Sequence, residues 1–220
     1  MEEQSTKTVV SGSLFLQKHS AVIRIWHWLT FLLISLSIIT VILSTTILNP
    51  RKNAGAVKDQ LKEQNITLDD RQAFFLAHHF DDQLWDLHKI LGLGITLLLI
   101  IRMVSEILMP MEERIRTRIS LALKLFRESP EKKAEARHYL VVKVTYSIFY
   151  LVIILLAVTG VMMAFGRELS VPSALHHSIK EFHGLLQWLV YAFVIFHAGG
   201  VILADLGKTR GLVSGMIHGN

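Results

Sequence analysis

Three stretches of this chain, Ile25 to Leu48, Val144 to Gly166 and Phe182 to Ala204, contain no Asp, Glu, Lys or Arg. Each exceeds the roughly 20 residues with which a helix crosses about 30 Å of hydrocarbon. Hydrophobic residues make up 51% of the chain, a fraction that a water-soluble domain also reaches, but only by spreading them periodically. Here they are gathered in blocks. A fourth block, Leu84 to Met109, is interrupted by Asp86, Lys89, Arg102 and Glu106, while its centre from Ile90 to Ile101 is uncharged. The interruptions lie towards its ends, where long side chains reach the interface. The expected fold is therefore an all-α membrane protein, a four-transmembrane-helix bundle. Its spans fall at about 22–48, 84–109, 143–166 and 181–204, within a membrane domain over 22–205 flanked by tails at 1–21 and 206–220.

The sign of the loops orients the bundle. Lys and Arg favour the cytoplasmic side. Fifteen of them lie in the N-terminal segment, the second loop with its flanks from Arg102 to Lys143, and the C-terminal tail, against seven in the first and third loops. Both termini are expected in the cytoplasm. The net charge of +5 is thus read as a topological signal of a membrane protein rather than a nucleic-acid footprint. The first 21 residues are polar and carry no cleavage signature, so no removable signal peptide is expected. The absence of cysteine excludes disulfides, iron–sulfur clusters, thiolate zinc sites and covalently attached haem.

Within the loops, a short external helix is expected around Asp69 to Phe80. The stretch Arg114 to Arg127 reads as an amphipathic helix with Ile115, Ile119, Leu121 and Leu125 facing the bilayer surface. Asn65-Ile66-Thr67 fits a glycosylation sequon and is read as chance in a polar loop.

Eleven histidines are many for 220 residues. His19, His78, His79, His138, His176, His177 and His218 lie in tails, loops or helix ends, where solvated side chains are the ordinary reading. Adjacent pairs such as His78-His79 and His176-His177 chelate a metal poorly. His27, His88, His183 and His197 fall inside the spans, where ionisable groups are costly and point to function. His183 and His197 are two heptads apart, about 21 Å along one helix on nearly the same face. His27 opens a span that starts inside, and His88 opens one that descends from outside. Depth then permits His27 with His197 at the inner level and His88 with His183 at the outer level. Two imidazoles on separate helices offer the axial ligands of a haem iron.

Small residues follow these histidines: Gly92 and Gly94, Gly184, then Ala198, Gly199 and Gly200. They admit either a flat macrocycle or close helix packing. Arg102, fourteen residues after His88, lies at the inner level and needs an anionic partner there. A haem propionate offers bidentate geometry, and the competing reading is that Arg102 snorkels to the interface.

The stretches RIWHWLTF at His27, LHKILGLGITLLLIIR ending at Arg102, YLVIILLAVTGVMMAFG on the third span and FHGLLQWLVYAFVIFHAGG from His183 onward resemble the bacterial cytochrome b561 family. They resemble equally the b-type cytochrome subunits of nickel–iron hydrogenases and formate dehydrogenases, as does the final GLVSGMIHG. The resemblance implies two haems b exchanging electrons with quinone in a bacterial inner membrane, and ligands at His27, His88, His183 and His197. It implies no ligand on the third span. The chain would then serve as a quinone-linked electron carrier, as the membrane subunit of a respiratory dehydrogenase or reductase with a redox partner protein. Alternatives are a stand-alone superoxide:quinone oxidoreductase and, from another class, a histidine-containing transporter or haem-free membrane scaffold. A quinone site is expected at the inner level, where His19, Ser20, Arg24, Asp205 and Lys208 converge. The rival outer set is Asp86, Lys89 and Glu181.

Overall fold

A computed structural model describes residues 20–110, 114–207 and 212–219, all helix and connector with no strand among them. Lys7, Lys18, His19, Lys208 and Arg210 lie outside the described residues. Seven α-helices follow in order: α1 Ala21–Thr45, α2 Pro50–Glu63, α3 Asp70–Leu108, α4 Ile115–Glu128, α5 Lys133–Ala164, α6 Ser173–Leu206 and α7 Leu212–His218. A 3-10 turn over Pro130–Lys132 leads into α5. The helices α1, α3, α5 and α6 are long and apolar enough to cross a membrane.

The middle of the bundle is held by Ile34 of α1, Leu99 of α3, Val152 and Ile153 of α5, and Leu186 and Val190 of α6. This apolar layer lies between the two levels of intramembrane histidines. The outward faces stay apolar as well, with Leu32, Ile39, Leu97, Ile100, Leu151, Val158, Leu189 and Ile195 exposed, as a lipid-facing surface requires. α1 packs on α3, α3 on α5 and α5 on α6. α6 meets α1 and α3 through side chains rather than by close backbone packing.

The external helix expected around Asp69 to Phe80 is not a separate element. It is continuous with the second span, and α3 runs for 39 residues. No glycine or proline occurs between Asp70 and Leu91 to break it. Asp69 starts the helix with a capping box, accepting from the Gln72 amide at 2.7 Å while the Gln72 side chain accepts from the Asp69 amide at 2.9 Å. At about 58 Å, α3 is roughly twice the thickness of the hydrocarbon, so it projects well beyond it. α2 packs on this projection after its own cap at Asn49, which accepts from Arg51 N at 3.1 Å. The amphipathic stretch from Arg114 does form a helix, α4. Its apolar stripe centres on the fully buried Ala122 and packs on the start of α5 near Ala136 and Tyr139 instead of being left for the bilayer surface alone.

Candidate functional site

His88 and His183 face each other between α3 and α6, their ring centroids 6.5 Å apart and their planes at 80°. At the opposite end of the bundle His27 and His197 stand 6.3 Å apart at 56°. A metal–nitrogen bond is about 2 Å, and an imidazole centroid lies roughly 1 Å behind its nitrogen, so two rings ligating one ion from opposite sides have centroids roughly 6 Å apart. Both pairs have that separation. Among the described residues no three of His, Cys, Asp and Glu gather to hold a bare metal ion. Two imidazoles per level instead suit a metal that brings its equatorial ligands with it.

Hydrogen bonding determines which nitrogen each ring offers at the His88 level. Thr40 Oγ1 donates its only proton to the Ser37 carbonyl at 2.7 Å, so at 3.0 Å from His88 Nδ1 it accepts. Ser37 Oγ lies 3.2 Å from the same nitrogen. On α5, Thr159 Oγ1 donates to the Leu155 carbonyl at 2.7 Å and therefore accepts from His183 Nδ1 at 2.8 Å. This arrangement suits rings protonated at Nδ1, which present the Nε2 lone pair to a metal.

The glycines separate the two readings of small residues. A Cβ at Gly94 would meet Leu33 Cδ1 at 3.3 Å, so that glycine serves the packing of α3 on α1. A Cβ at Gly92, Gly184, Gly199 or Gly200 would meet nothing within 4 Å. Helix packing does not account for these four. Gly92, Gly184 and Gly199 are half-buried and border open space beside the histidines. The donor set and the room beside it fit a haem.

The His27 level is aromatic. His197 stacks on Phe193 with centroids 5.5 Å apart and planes 6° from parallel, and Tyr146 lies edge-on at 6.0 Å. Trp28 lies edge-on to His27 at 5.5 Å and ties α1 to α7 by donating Nε1–H to the Met216 carbonyl at 3.0 Å. Arg102 reaches this level with its guanidinium carbon 6.0 Å from the centre of a Trp26 ring, but it also has a protein anion at hand in Glu106, at 3.4 Å.

The groups weighed for a quinone site are distributed unevenly. Asp86 pairs with Lys89 at 2.8 Å and Glu181 with His177 at 3.1 Å, all four on the exposed surface. At the other end Asp205 accepts from Val213 N at 3.4 Å, and the Arg24 guanidinium lies against Gly219. His19 and Lys208 fall outside the described residues. Asp81 lies in the stretch between the first two expected spans. It is 6% exposed and takes hydrogen bonds from Ser44 Oγ and, at 3.1 Å, from Trp85 Nε1. Trp85 in turn packs edge-on against His88 at 5.5 Å. The clue available in sequence was the spacing Asp81–Trp85–His88, three positions on one helix face. Of the loop histidines, His78 stacks on Phe74 at 5.6 Å and sits 3.8 Å from Asp81.

A family model described as prokaryotic cytochrome b561 matches residues 18–219 of the chain. Neither a curated protein nor a solved structure matches it.

Proposed function

Because the chain belongs to the prokaryotic cytochrome b561 family, whose members are multi-pass b-type cytochromes of electron transport, we propose that it holds two haems b and passes electrons between a redox partner and membrane quinone. The observation that carries this reading is the pair of facing imidazole couples at opposite ends of one bundle, 6.3 and 6.5 Å between centroids. In this reading His27 with His197 would hold one haem and His88 with His183 the other. Each haem, when bound, supplies a one-electron couple at its iron, tuned by axial ligation and burial. The residues around the two levels do the rest. The layer of Ile34, Leu99, Val152, Ile153, Leu186 and Val190 separates the two levels and excludes water from between them. Arg102 offers a guanidinium to a carboxylate at the His27 level, with Glu106 as its resident partner.

The excess of Lys and Arg in the second loop and at the chain ends orients the His27 level towards the cytoplasm of a bacterial inner membrane. The projecting part of α3 and the helix α2 then stand on the opposite side, where a soluble partner has access. In this reading the quinone binds at the His27 level, where Arg24 precedes His27 on α1 and Asp205 follows His197 on α6. A transporter reading needs a polar file through the bundle. The most deeply buried polar residues among those described, Thr40, Ser44, Asp81 and Thr159, lie together at the His88 end.

The purified protein tests the reading directly. Its reduced spectrum should show b-type bands, and pyridine haemochrome analysis should return two haems per chain. A colourless protein with full helical content would sink the proposal, and one haem per chain would remove its dihaem part.

A further inference from the structure

The third span supplies no histidine to either level, yet α5 touches the site at one point. Thr159 Oγ1 lies 2.8 Å from His183 Nδ1, and a Cβ at the neighbouring Gly160 would stand 3.4 Å from His183 Cε1. The hydroxyl meets the nitrogen, and the missing side chain lets the ring lie against the helix. α1 does the same for the opposite ring, with Thr40 Oγ1 at 3.0 Å and Ser37 Oγ at 3.2 Å from His88 Nδ1. These hydroxyls are not interchangeable rotors. The protons of Thr40 and Thr159 are engaged by the Ser37 and Leu155 carbonyls one turn back, at 2.7 Å each, which leaves only their lone pairs for the rings. Thr40 and Thr159 are also two of the few buried polar residues among those described. A buried hydroxyl in an apolar bundle is retained where it has a partner.

We propose that Thr159 with Gly160 on α5, and Thr40 with Ser37 on α1, are positioning residues that lock His183 and His88 as Nδ1–H tautomers aimed at the haem iron. The inference rests on the dihaem reading and adds a role for α5. An acceptor on Nδ1–H has two consequences. It fixes ring orientation and tautomer, which raises affinity for the metal. It also raises the basicity of Nε2, which favours the oxidised iron and lowers the midpoint. Both effects belong to the His88 level alone.

The test uses Thr159→Val, which keeps the shape of the side chain and removes the acceptor. Haem stoichiometry and a potentiometric titration are read on the purified full-length protein, with no enzymatic turnover needed. At limiting haem, affinity of the His88 level should fall on the order of tenfold. The haem retained there should titrate at a higher midpoint, while the His27 level is unchanged. Thr159→Ser, which restores the acceptor, should recover both readouts. The paired change Ser37→Ala with Thr40→Val should act in the same direction on the same haem and provides the test from a different helix should Thr159→Val fail to assemble. Unchanged occupancy and midpoint in these variants would overturn the proposal, as would equal loss from both levels or a Thr159→Ser protein that behaves like Thr159→Val. Failure of the dihaem reading itself is distinguishable, because it would show as fewer than two haems in the unsubstituted protein.

Discussion

Arg102 and Glu106, one turn apart on α3, meet across 3.4 Å, and Glu106 also accepts from the backbone amide of Ile115 at 2.7 Å. The pair thus joins the end of α3 to the start of α4 while holding a guanidinium at the His27 level. Both side chains are only about a quarter exposed, 23% and 26%. Neither charge is fully screened there, and the two act in opposite senses on an adjacent redox centre.

Positive charge favours the reduced haem. Arg102→Leu should therefore lower the midpoint at the His27 level, and Glu106→Gln should raise it, each by on the order of 1 kcal/mol of electrostatic free energy. The His88 level should move less. A redox titration resolving the two haems checks this, and unchanged midpoints at both levels would place Arg102 too far from either to matter.

Ligand pairing predicts a specific non-additivity. His27→Ala should lose one haem, His197→Ala should lose the same one, and the double variant should lose no more than either single. His88→Ala combined with His197→Ala should lose both. Pyridine haemochrome ratios distinguish these patterns. If His27→Ala and His197→Ala together emptied both levels, the pairs would have been drawn across the wrong helices.

Asp81 anchors the end of α1 to α3 through Ser44 and holds the Trp85 indole beside His88. Asp81→Leu strands two buried donors, which costs about 1–3 kcal/mol. Asp81→Asn keeps an acceptor oxygen and should cost less. Thermal unfolding in detergent measures the difference. Matching melting temperatures for the two variants would show that the lost hydrogen bonds do not set stability there.

The quinone assignment predicts that substituting His19 and Arg24 together slows quinone-linked haem oxidation while both haems stay bound. Asp86→Asn with Glu181→Gln should leave that rate unchanged. The reverse pattern would move the site to the His88 end.

Lys58 and Asp70 form a solvent-facing tie between α2 and α3, at 2.5 Å. Their hydrogen bond, then their mutual attraction, raises the Lys58 pKa and lowers that of Asp70. The lowered acid contributes above its unfolded value of 3.8 and is lost as pH falls through its folded pKa. The raised amine contributes below 10.5 and is lost as pH rises through its folded pKa. The tie therefore holds across the whole neutral range. Hydrogen exchange of α2 amides should be insensitive to pairing changes between pH 5 and 9 after correction for intrinsic rates. Lys58→Met or high salt should speed it modestly without touching the membrane helices.

The spans were legible because a bilayer imposes a length and forbids charge, and both conditions are written along the chain itself. Ile25 to Leu48 needs no partner helix to declare what it is. The matching of histidine depths was legible for the same reason, since rise per residue and alternating direction place His183 opposite His88 and His197 opposite His27 before any packing is known. Contacts between helices are of another kind. That Thr159, on a helix with no histidine near it in sequence, meets His183 depends on how α5 turns about its axis as it packs on α6. So does the open space at Gly184, where Gly94 serves packing instead. The burial of Asp81 comes from the unbroken run of α3 past the membrane edge and from Ser44 on the neighbouring helix, neither of which its own stretch of sequence declares. Rotation about a helix axis and the register between helices are set by many weak apolar contacts summed over the bundle. No short stretch of sequence carries that sum, and only the assembled structure decided it.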